Sequence, residues 1–356
     1  MAMTPTATVS PVMKVNTLRS CLSNRTRAMA QVYVRLRAGA IAALGLAVIA
    51  ASAALAQTPQ PRICVIVPHF KDEYWLSVGY GLQAAANAAG AEVLIHESGG
   101  YHGLERQIAL LDMCRRLPTD AVLIGAVSAD DPRLLDAVAA TNRAQPVLAL
   151  VNALNAPDLA GWIGVDWHGM GVEVGQFLAA RHPAGSAPRT AVLVTGPDQS
   201  GWGPILDGGL ALGLAASSVK IVATYRADTG LREQLREVET ALAAHPDADY
   251  LIGSAPAIEG AMALLRRLPE GAHRPALVAT YISHSVLRGM KNGQVQMVPF
   301  DDPIAQGRLG LELALRAMQG DRSPGLSGPQ ILPVTVDAGN VDEVALSPAG
   351  FFPMLE

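Results

Sequence analysis

Charged residues are scarce in this chain: Asp, Glu, Lys and Arg make up only 16% of its 356 residues, and the net charge is −4. Half of the residues are hydrophobic, so the balance excludes a disordered chain and offers no basic footprint for nucleic acid. Cysteine is nearly missing too. Three residues, none in a C-x-x-C pair, exclude a disulfide-built scaffold and a thiolate zinc or redox motif. Neither a G-x-x-x-x-G-K-[ST] loop nor a G-x-S-x-G elbow occurs, and no two histidines form an H-x-H or H-x-x-x-H pair, so neither nucleotide, hydrolase nor metal chemistry is expected. Gly169, Gly171 and Gly175 imitate a dinucleotide loop with the wrong spacing. Glycines four apart on a helix instead allow close helix packing. Aromatic residues amount to 4%, so rings gathered away from a core need a reason.

What is there begins with a leader. Arg35-Leu36-Arg37 precede a run of small apolar residues that ends at Ala54-Leu55-Ala56, the pattern of a cleavable secretory signal peptide. The run is short for a membrane span and lacks a charged flank after it. Residues 1–56 are therefore read as the signal peptide region, with Met29 a candidate initiator, and the protein as periplasmic. Export discards Cys21 and puts Cys64 and Cys114 in an oxidising compartment. In a doubly wound sheet the second crossover helix packs across the first strand, so these two form either a buried disulfide or a pair of inert core thiols.

From Arg62 onward, short Val/Ile/Leu runs alternate with amphipathic Ala/Leu-rich stretches. The strands read are 63–67, 92–95, 121–125 and 146–151, then 162–165, 191–195, 221–225, 250–253, 276–280 and 295–299. Near-continuous apolar strands alternating with helices indicate parallel sheets covered on both faces. Ten strands exceed one comfortable sheet. The fold class expected is therefore α/β, two doubly wound parallel-sheet domains divided near residue 153, joined by a hinge, with a ligand cleft between them. Ligands in such sheets bind at the carboxyl ends of strands. The rings gather at those ends. Tyr74 and Trp75 follow the first strand together with Asp72, Trp167 follows the strand at 162–165, and Tyr281 ends the strand at 276–280. Asp72, Tyr74, Trp75, Trp167 and Tyr281 are the ligand-binding candidates, with Ser128, Trp202 and Asp301 as further ones. Catalytic residues, cofactors and metal ligands are not expected.

The segments RICVIVPHFKDEYW, GVDWHGMGVEVGQFLA and KNGQVQMVPFDDPIAQGRLG resemble type I periplasmic binding proteins of the ribose-binding class. That resemblance implies three chain crossings, uniting 57–153 with 282–325 and 154–281 with 326–342, and leaving 343–356 as a tail. KDEYWLSVGYG, ESGGYHGLERQIALLDMC, GVDWHGMG, GSAPAIE and YISHSVLRG are similar to the TorT family of periplasmic sensor proteins over about 62–320. The likeness implies a non-enzymatic protein that binds trimethylamine N-oxide, or a related methylated amine, and passes that state to the periplasmic sensor domain of a membrane hybrid histidine kinase. Neither a nucleic-acid partner nor membrane insertion after signal cleavage is implied. The alternative is the solute receptor of an ABC transporter for a sugar or a betaine-like compound. Sugar binders usually place Asp where Tyr281 stands, Asn-Asp where Ala255-Pro256 stand, and an Arg in the loop 196–203. The exchange of charge for π-faces suits a quaternary nitrogen, whose methyls carry partial positive charge. An indole N–H or tyrosine O–H is then needed to meet the oxide.

Overall fold

Twelve short strands account for the apolar runs in the computed structural model, which describes residues 60–356. The expected leader, its cleavage site, Met29 and Cys21 lie outside the described residues. Strands β1 (Arg62–Val67), β2 (Glu92–Glu97), β3 (Ala121–Ile124), β4 (Val147–Val151), β5 (Gly161–Gly164) and β11 (Ser323–Ser327) form one sheet, ordered β11-β5-β4-β3-β1-β2. Its strand pairs are all parallel. The second sheet joins β6 (Arg189–Thr195), β7 (Val219–Arg226), β8 (Tyr250–Gly253), β9 (Ala276–Ala279), β10 (Val295–Phe300) and β12 (Leu332–Thr335) in the order β12-β10-β9-β8-β6-β7. Only its edge strand β12 runs antiparallel.

Nine helices among the described residues connect them: α1 (Glu73–Ala89), α2 (Leu104–Arg116), α3 (Pro132–Asn142), α4 (Trp167–Arg181), α5 (Gly203–Gly213), α6 (Leu231–Ala244), α7 (Ala255–Leu265), α8 (His284–Lys291) and α9 (Pro303–Met318). Alternation along β1 shows how the first sheet is covered on both faces. Ile63, Val65 and Val67 join the apolar cluster under α1 and α9, whereas Cys64 and Ile66 face α2 and α3. Cys114 lies on that second side of the sheet, and the structure links Cys64 to Cys114 in a disulfide. On the second sheet α4 crosses α5 through glycine. A Cβ at Gly171 would stand 2.0 Å from the Leu206 carbonyl oxygen, and one at Gly175 would stand 2.7 Å from Gly213. Gly171 and Gly175 thus permit backbone contact between two helices, whereas Gly169 faces the Asp166 and Ile331 side chains.

The strand allocation departs from the sequence reading at two places. β5, expected to open the second half, pairs with β4, with Leu148 opposite Gly161. β10, expected to return to the first half, pairs with β9 in the second sheet. Short apolar strands announce burial on both faces but not which neighbour supplies their hydrogen bonds, so periodicity could not assign them. The chain therefore crosses after β5, between β10 and α9, and between β11 and β12, not at 153 and 281. The tail beyond residue 343 is tied to both halves. Ser347 N–H donates to Ser77 Oγ on α1 at 3.1 Å, and its carbonyl lies 2.9 Å from His284 Nε2 on α8. Phe351 then stacks edge-on against Tyr80, and the Glu356 N–H reaches the Ile95 carbonyl at 3.0 Å.

Candidate functional site

Asp72 ends the loop after β1 and caps α1, its Oδ1 accepting the Tyr74 N–H at 3.1 Å. The cap fixes the first turn, so Tyr74 and Trp75 leave the helix start toward the space between the carboxyl ends of the two sheets. Trp167 opens α4 just after the first crossing, Trp202 precedes α5 after β6, and Tyr281 follows β9. The five rings meet there. Tyr74 and Tyr281 are 5.5 Å apart at 79°, Trp202 and Tyr281 5.5 Å at 85°, and Trp167 and Trp202 5.5 Å at 41°. Trp75 stands edge-on to Tyr74 at 6.2 Å. These are the offset and edge-to-face arrangements that aromatic quadrupoles favour.

The rings, Asp72 and three residues that sequence reasoning missed enclose one small cavity. The additions are Tyr101, after β2, and Val151 and Asn152 at the end of β4. Its volume is about 10 Å³, the scale of a single water-sized sphere, so the rings would have to part to admit any ligand larger than a water. A larger hollow of about 240 Å³, edged by Met262, Arg266 and Arg274, lies elsewhere on the second half and gathers none of these rings. Volume is therefore the poorer guide.

Val151 carries φ 66°, and the Asn152 N–H donates to the Leu150 carbonyl at 2.8 Å. This is a γ-turn with positive φ at a β-branched residue, a strained geometry that occurs mostly where function requires it. It turns Asn152 back toward Tyr101 and Ala126.

Hydrogen bonding inside the box is asymmetric. The Tyr281 hydroxyl donates to Asp72 Oδ2 at 2.7 Å and the Tyr74 hydroxyl to Asp301 Oδ2 at 2.7 Å. The Trp167 N–H meets the Val151 carbonyl at 3.2 Å, and the Trp202 N–H meets the Tyr101 oxygen at 3.0 Å. Tyr101 differs from these four. Its oxygen accepts from both Trp202 and Asn152, leaving its own proton without an acceptor among the described residues. Burial keeps the phenols of Tyr74, Tyr101 and Tyr281 protonated by raising their pKa values. Burial also pushes Asp72 and Asp301 up to about 6, against the lowering effect of the hydroxyls that donate to them.

Asp301 is fully buried but does not line the cavity. It stands behind Tyr74, with Gln306 Nε2 donating to the same oxygen at 2.8 Å. Ser128 is elsewhere too: its hydroxyl accepts the Asp131 N–H at 3.1 Å ahead of α3. Trp202 is in the box. Tyr101 obeys the same rule that found the other rings, a ring just beyond a strand, and its place after β2 is the signal that could have found it. Asn152 carried no signal, because only the γ-turn directs it. Among the described residues one cluster of three metal-ligating side chains occurs, Cys64, His96 and Cys114, and its two sulfurs are bonded to each other. No helix among the described residues is long and apolar enough to cross a membrane.

Residues 63–322 match the periplasmic binding protein domain family. The chain is 35% identical to the periplasmic protein TorT of Escherichia coli K12 over 295 residues, 82% of this chain and 84% of that one. Among solved structures it is similar to the complex of the TorS sensor domain with TorT in the presence of trimethylamine N-oxide, at 32% identity and a TM-score of 0.72. That match covers 83% of this chain and all of the other. It is also similar to an ABC transporter solute-binding protein from Bradyrhizobium sp. BTAi1 with bound bis-tris, at 34% identity and a TM-score of 0.69, covering 84% and 90% of the two chains.

Proposed function

Because the chain belongs to the TorT family of periplasmic binding proteins, we propose that it is a non-enzymatic periplasmic sensor that encloses trimethylamine N-oxide, or a related methylated amine, in the aromatic box. The ligand state passes to the periplasmic sensor domain of a membrane hybrid histidine kinase, as the solved complex of relatives suggests. The single observation that carries the reading is the pairing of ring faces with donors that no acceptor among the described residues takes up, the Tyr101 hydroxyl and the Trp75 indole N–H. Trimethylamine N-oxide is a compact dipole, methyls on a cationic nitrogen at one end and an anionic oxygen at the other. The methyls pack on the faces of Trp75, Trp167, Trp202, Tyr74 and Tyr281, each worth roughly 0.5–2 kcal/mol when desolvated. The Tyr101 hydroxyl donates to the oxide, where a hydrogen bond to a charged group contributes about 1.5–3 kcal/mol. Offset by the cost of ordering, these bring the complex toward the ceiling for so small a ligand, roughly −1.5 kcal/mol per non-hydrogen atom or about −7.5 kcal/mol, which is low-micromolar binding at best. Tyr281 and the indoles of Trp167 and Trp202 are less suited to the oxide, since their protons already serve protein acceptors.

A second reading, the solute receptor of an ABC transporter, is favoured by the likeness to the Bradyrhizobium protein. Calorimetric titration of the exported protein with trimethylamine N-oxide, betaine, choline, bis-tris and ribose separates the two, alongside a pull-down with a TorS-type sensor domain. We expect the N-oxide to bind most tightly and the sensor domain to be retained. Ribose or bis-tris binding with no response to the N-oxide, and no retained sensor domain, would sink the sensor reading.

A further inference from the structure

A second set of polar contacts joins the two halves beside the box, and none of the side chains that close it touches the cavity. His69, in the loop after β1, is 1% exposed, and its Nε2 lies 2.9 Å from Oδ1 of Asp228, just beyond β7 at the far edge of the second sheet. Thr229 Oγ1 is 3.3 Å from the same nitrogen. The other oxygen, Asp228 Oδ2, accepts the backbone N–H of Tyr101 at 2.7 Å. The loop that carries Tyr101 is built for this approach. Gly100 has φ +135°, a conformation that side chains avoid, and a Cβ there would stand 2.3 Å from Asp228 Oδ2. The Gly99 and Gly100 N–H groups both donate to the Pro68 carbonyl, so the Tyr101 loop and the His69 loop form one unit. On the opposite side Gln234 Nε2 holds the carbonyls of Thr195, Ala227 and Asp228. The acidic end is thus as fixed as the basic one.

We infer that His69 and Asp228 form a latch across the cleft, and that Asp228 is a positioning residue which, through the Tyr101 backbone, holds the Tyr101 hydroxyl over the box. Tyr101 is grasped from the second half at two points, its N–H by Asp228 and its hydroxyl oxygen by Trp202. Its ring also stands edge-on to His69 at 6.3 Å and 89°. Closing the cleft therefore completes the latch and seats the donor in one movement. Burial works against the charge on Asp228, but His69 and the backbone N–H groups outweigh it and hold the carboxyl below its ordinary range. An apparent dissociation constant equals the intrinsic one divided by the closed fraction. A latch that favours closure thus tightens binding of any ligand the box takes.

The inference rests on the box being the ligand site, but its test does not depend on that alone. Small-angle scattering of the ligand-free protein reads cleft closure directly, and titration with trimethylamine N-oxide reads affinity. Asp228→Ala should enlarge the radius of gyration of the ligand-free protein and weaken N-oxide binding by about tenfold. Asp228→Asn, which keeps an acceptor for the Tyr101 N–H, and His69→Gln, which keeps a donor, should each fall between Ala and wild type. Gly100→Ala should resemble Asp228→Ala, because its methyl occupies the carboxylate's place. Circular dichroism identifies any variant that fails to fold, and the Asn and Gln variants then stand in for it. An unchanged radius and affinity in Asp228→Ala would overturn the latch. Wild-type protein that ignores the N-oxide yet opens on Asp228→Ala would overturn the functional reading and leave the latch standing.

Discussion

Replacing Tyr101 by Phe keeps the ring and deletes one hydroxyl, which makes it the sharpest probe of the box. In the protein that oxygen accepts from Trp202 at 3.0 Å and from Asn152 at 3.1 Å, and its own proton is uncommitted. The substitution therefore has two consequences of different kind. Two buried donors lose their acceptor in free and bound protein alike, a loss of about 1–3 kcal/mol for each unsatisfied group, read as a lower melting temperature. The oxide loses its donor only in the complex, about 1.5–3 kcal/mol for a hydrogen bond to a charged partner, or roughly 10- to 150-fold in affinity. Titration calorimetry well below the variant's melting temperature isolates the second effect. Tetramethylammonium, which has the methyls but no oxide, should bind wild type and Tyr101→Phe alike. Tyr74→Phe and Tyr281→Phe remove protons already given to Asp301 and Asp72, so they should change N-oxide affinity less. The reasoning is refuted if Tyr101→Phe binds the N-oxide within about twofold of wild type, or if Tyr281→Phe loses as much.

Trp167→Ala should weaken N-oxide binding by about tenfold or more, roughly 1–2 kcal/mol, with far-ultraviolet circular dichroism unchanged, and Trp167→Leu should remain weak because it restores apolar contact without the quadrupole. Equal affinity in all three proteins would mean that the rings only pack the hinge. The two buried acids set a pH dependence of stability. Their folded pKa of about 6 exceeds the ordinary 3.8, so the folded protein binds protons more tightly than the unfolded chain. Their contribution is accordingly full below about pH 4 and lost as pH rises through 6, by at most roughly 3 kcal/mol per group. Melting temperatures of wild type and the Asp72→Asn/Asp301→Asn double variant, taken from pH 4 to 8, should converge toward the acid end; parallel curves would contradict the assignment. Cleaving the Cys64–Cys114 disulfide frees a loop of 50 residues, which the chain-entropy treatment values at about 4 kcal/mol. Urea midpoints of wild type with and without reductant, against a Cys64→Ala/Cys114→Ala reference that reductant should leave unmoved, measure it; a wild-type midpoint that ignores reductant would refute it.

The alternation of apolar strands and amphipathic helices was legible because a parallel sheet covered on both faces leaves no room for polar residues in its strands. Ile63–Val67 and Val147–Val151 could scarcely be anything else. Which sheet received β5 or β10 was not legible, since Gly161-Trp162-Ile163-Gly164 says only that a short strand is buried. The rings were legible through scarcity and position: Trp75, Trp167 and Tyr281 each follow a strand, and all three reach one cavity. Asn152 depends on a γ-turn at Val151, whose positive φ no propensity for valine would suggest. Ser128 and Asp301 stand at strand ends as well, yet one hydroxyl is absorbed by a local turn and the other carboxyl stands one layer behind Tyr74. Position relative to a strand end locates the neighbourhood. Only tertiary packing decides which side chain faces inward.

The return of β11 and α9 to the first sheet has a consequence for how the chain acquires its structure. Four of that sheet's strands and α1 lie before residue 152, but its outer edge strand comes from 323–327. α9, whose Leu311, Leu313, Ala314 and Ala317 are buried against the cluster beneath α1, ends only at Met318. A chain threaded outward from its N-terminus therefore emerges with its first sheet lacking both an edge and a cover until nearly the whole sequence has followed. Such long-range closure is slow compared with local pairing. Under the periplasmic function proposed above the delay is useful, because a polypeptide that stays loose can pass through a narrow channel and acquire its final packing after arrival. The same delay leaves an apolar sheet face bare meanwhile, and chains halted before α9 would be the ones prone to aggregate.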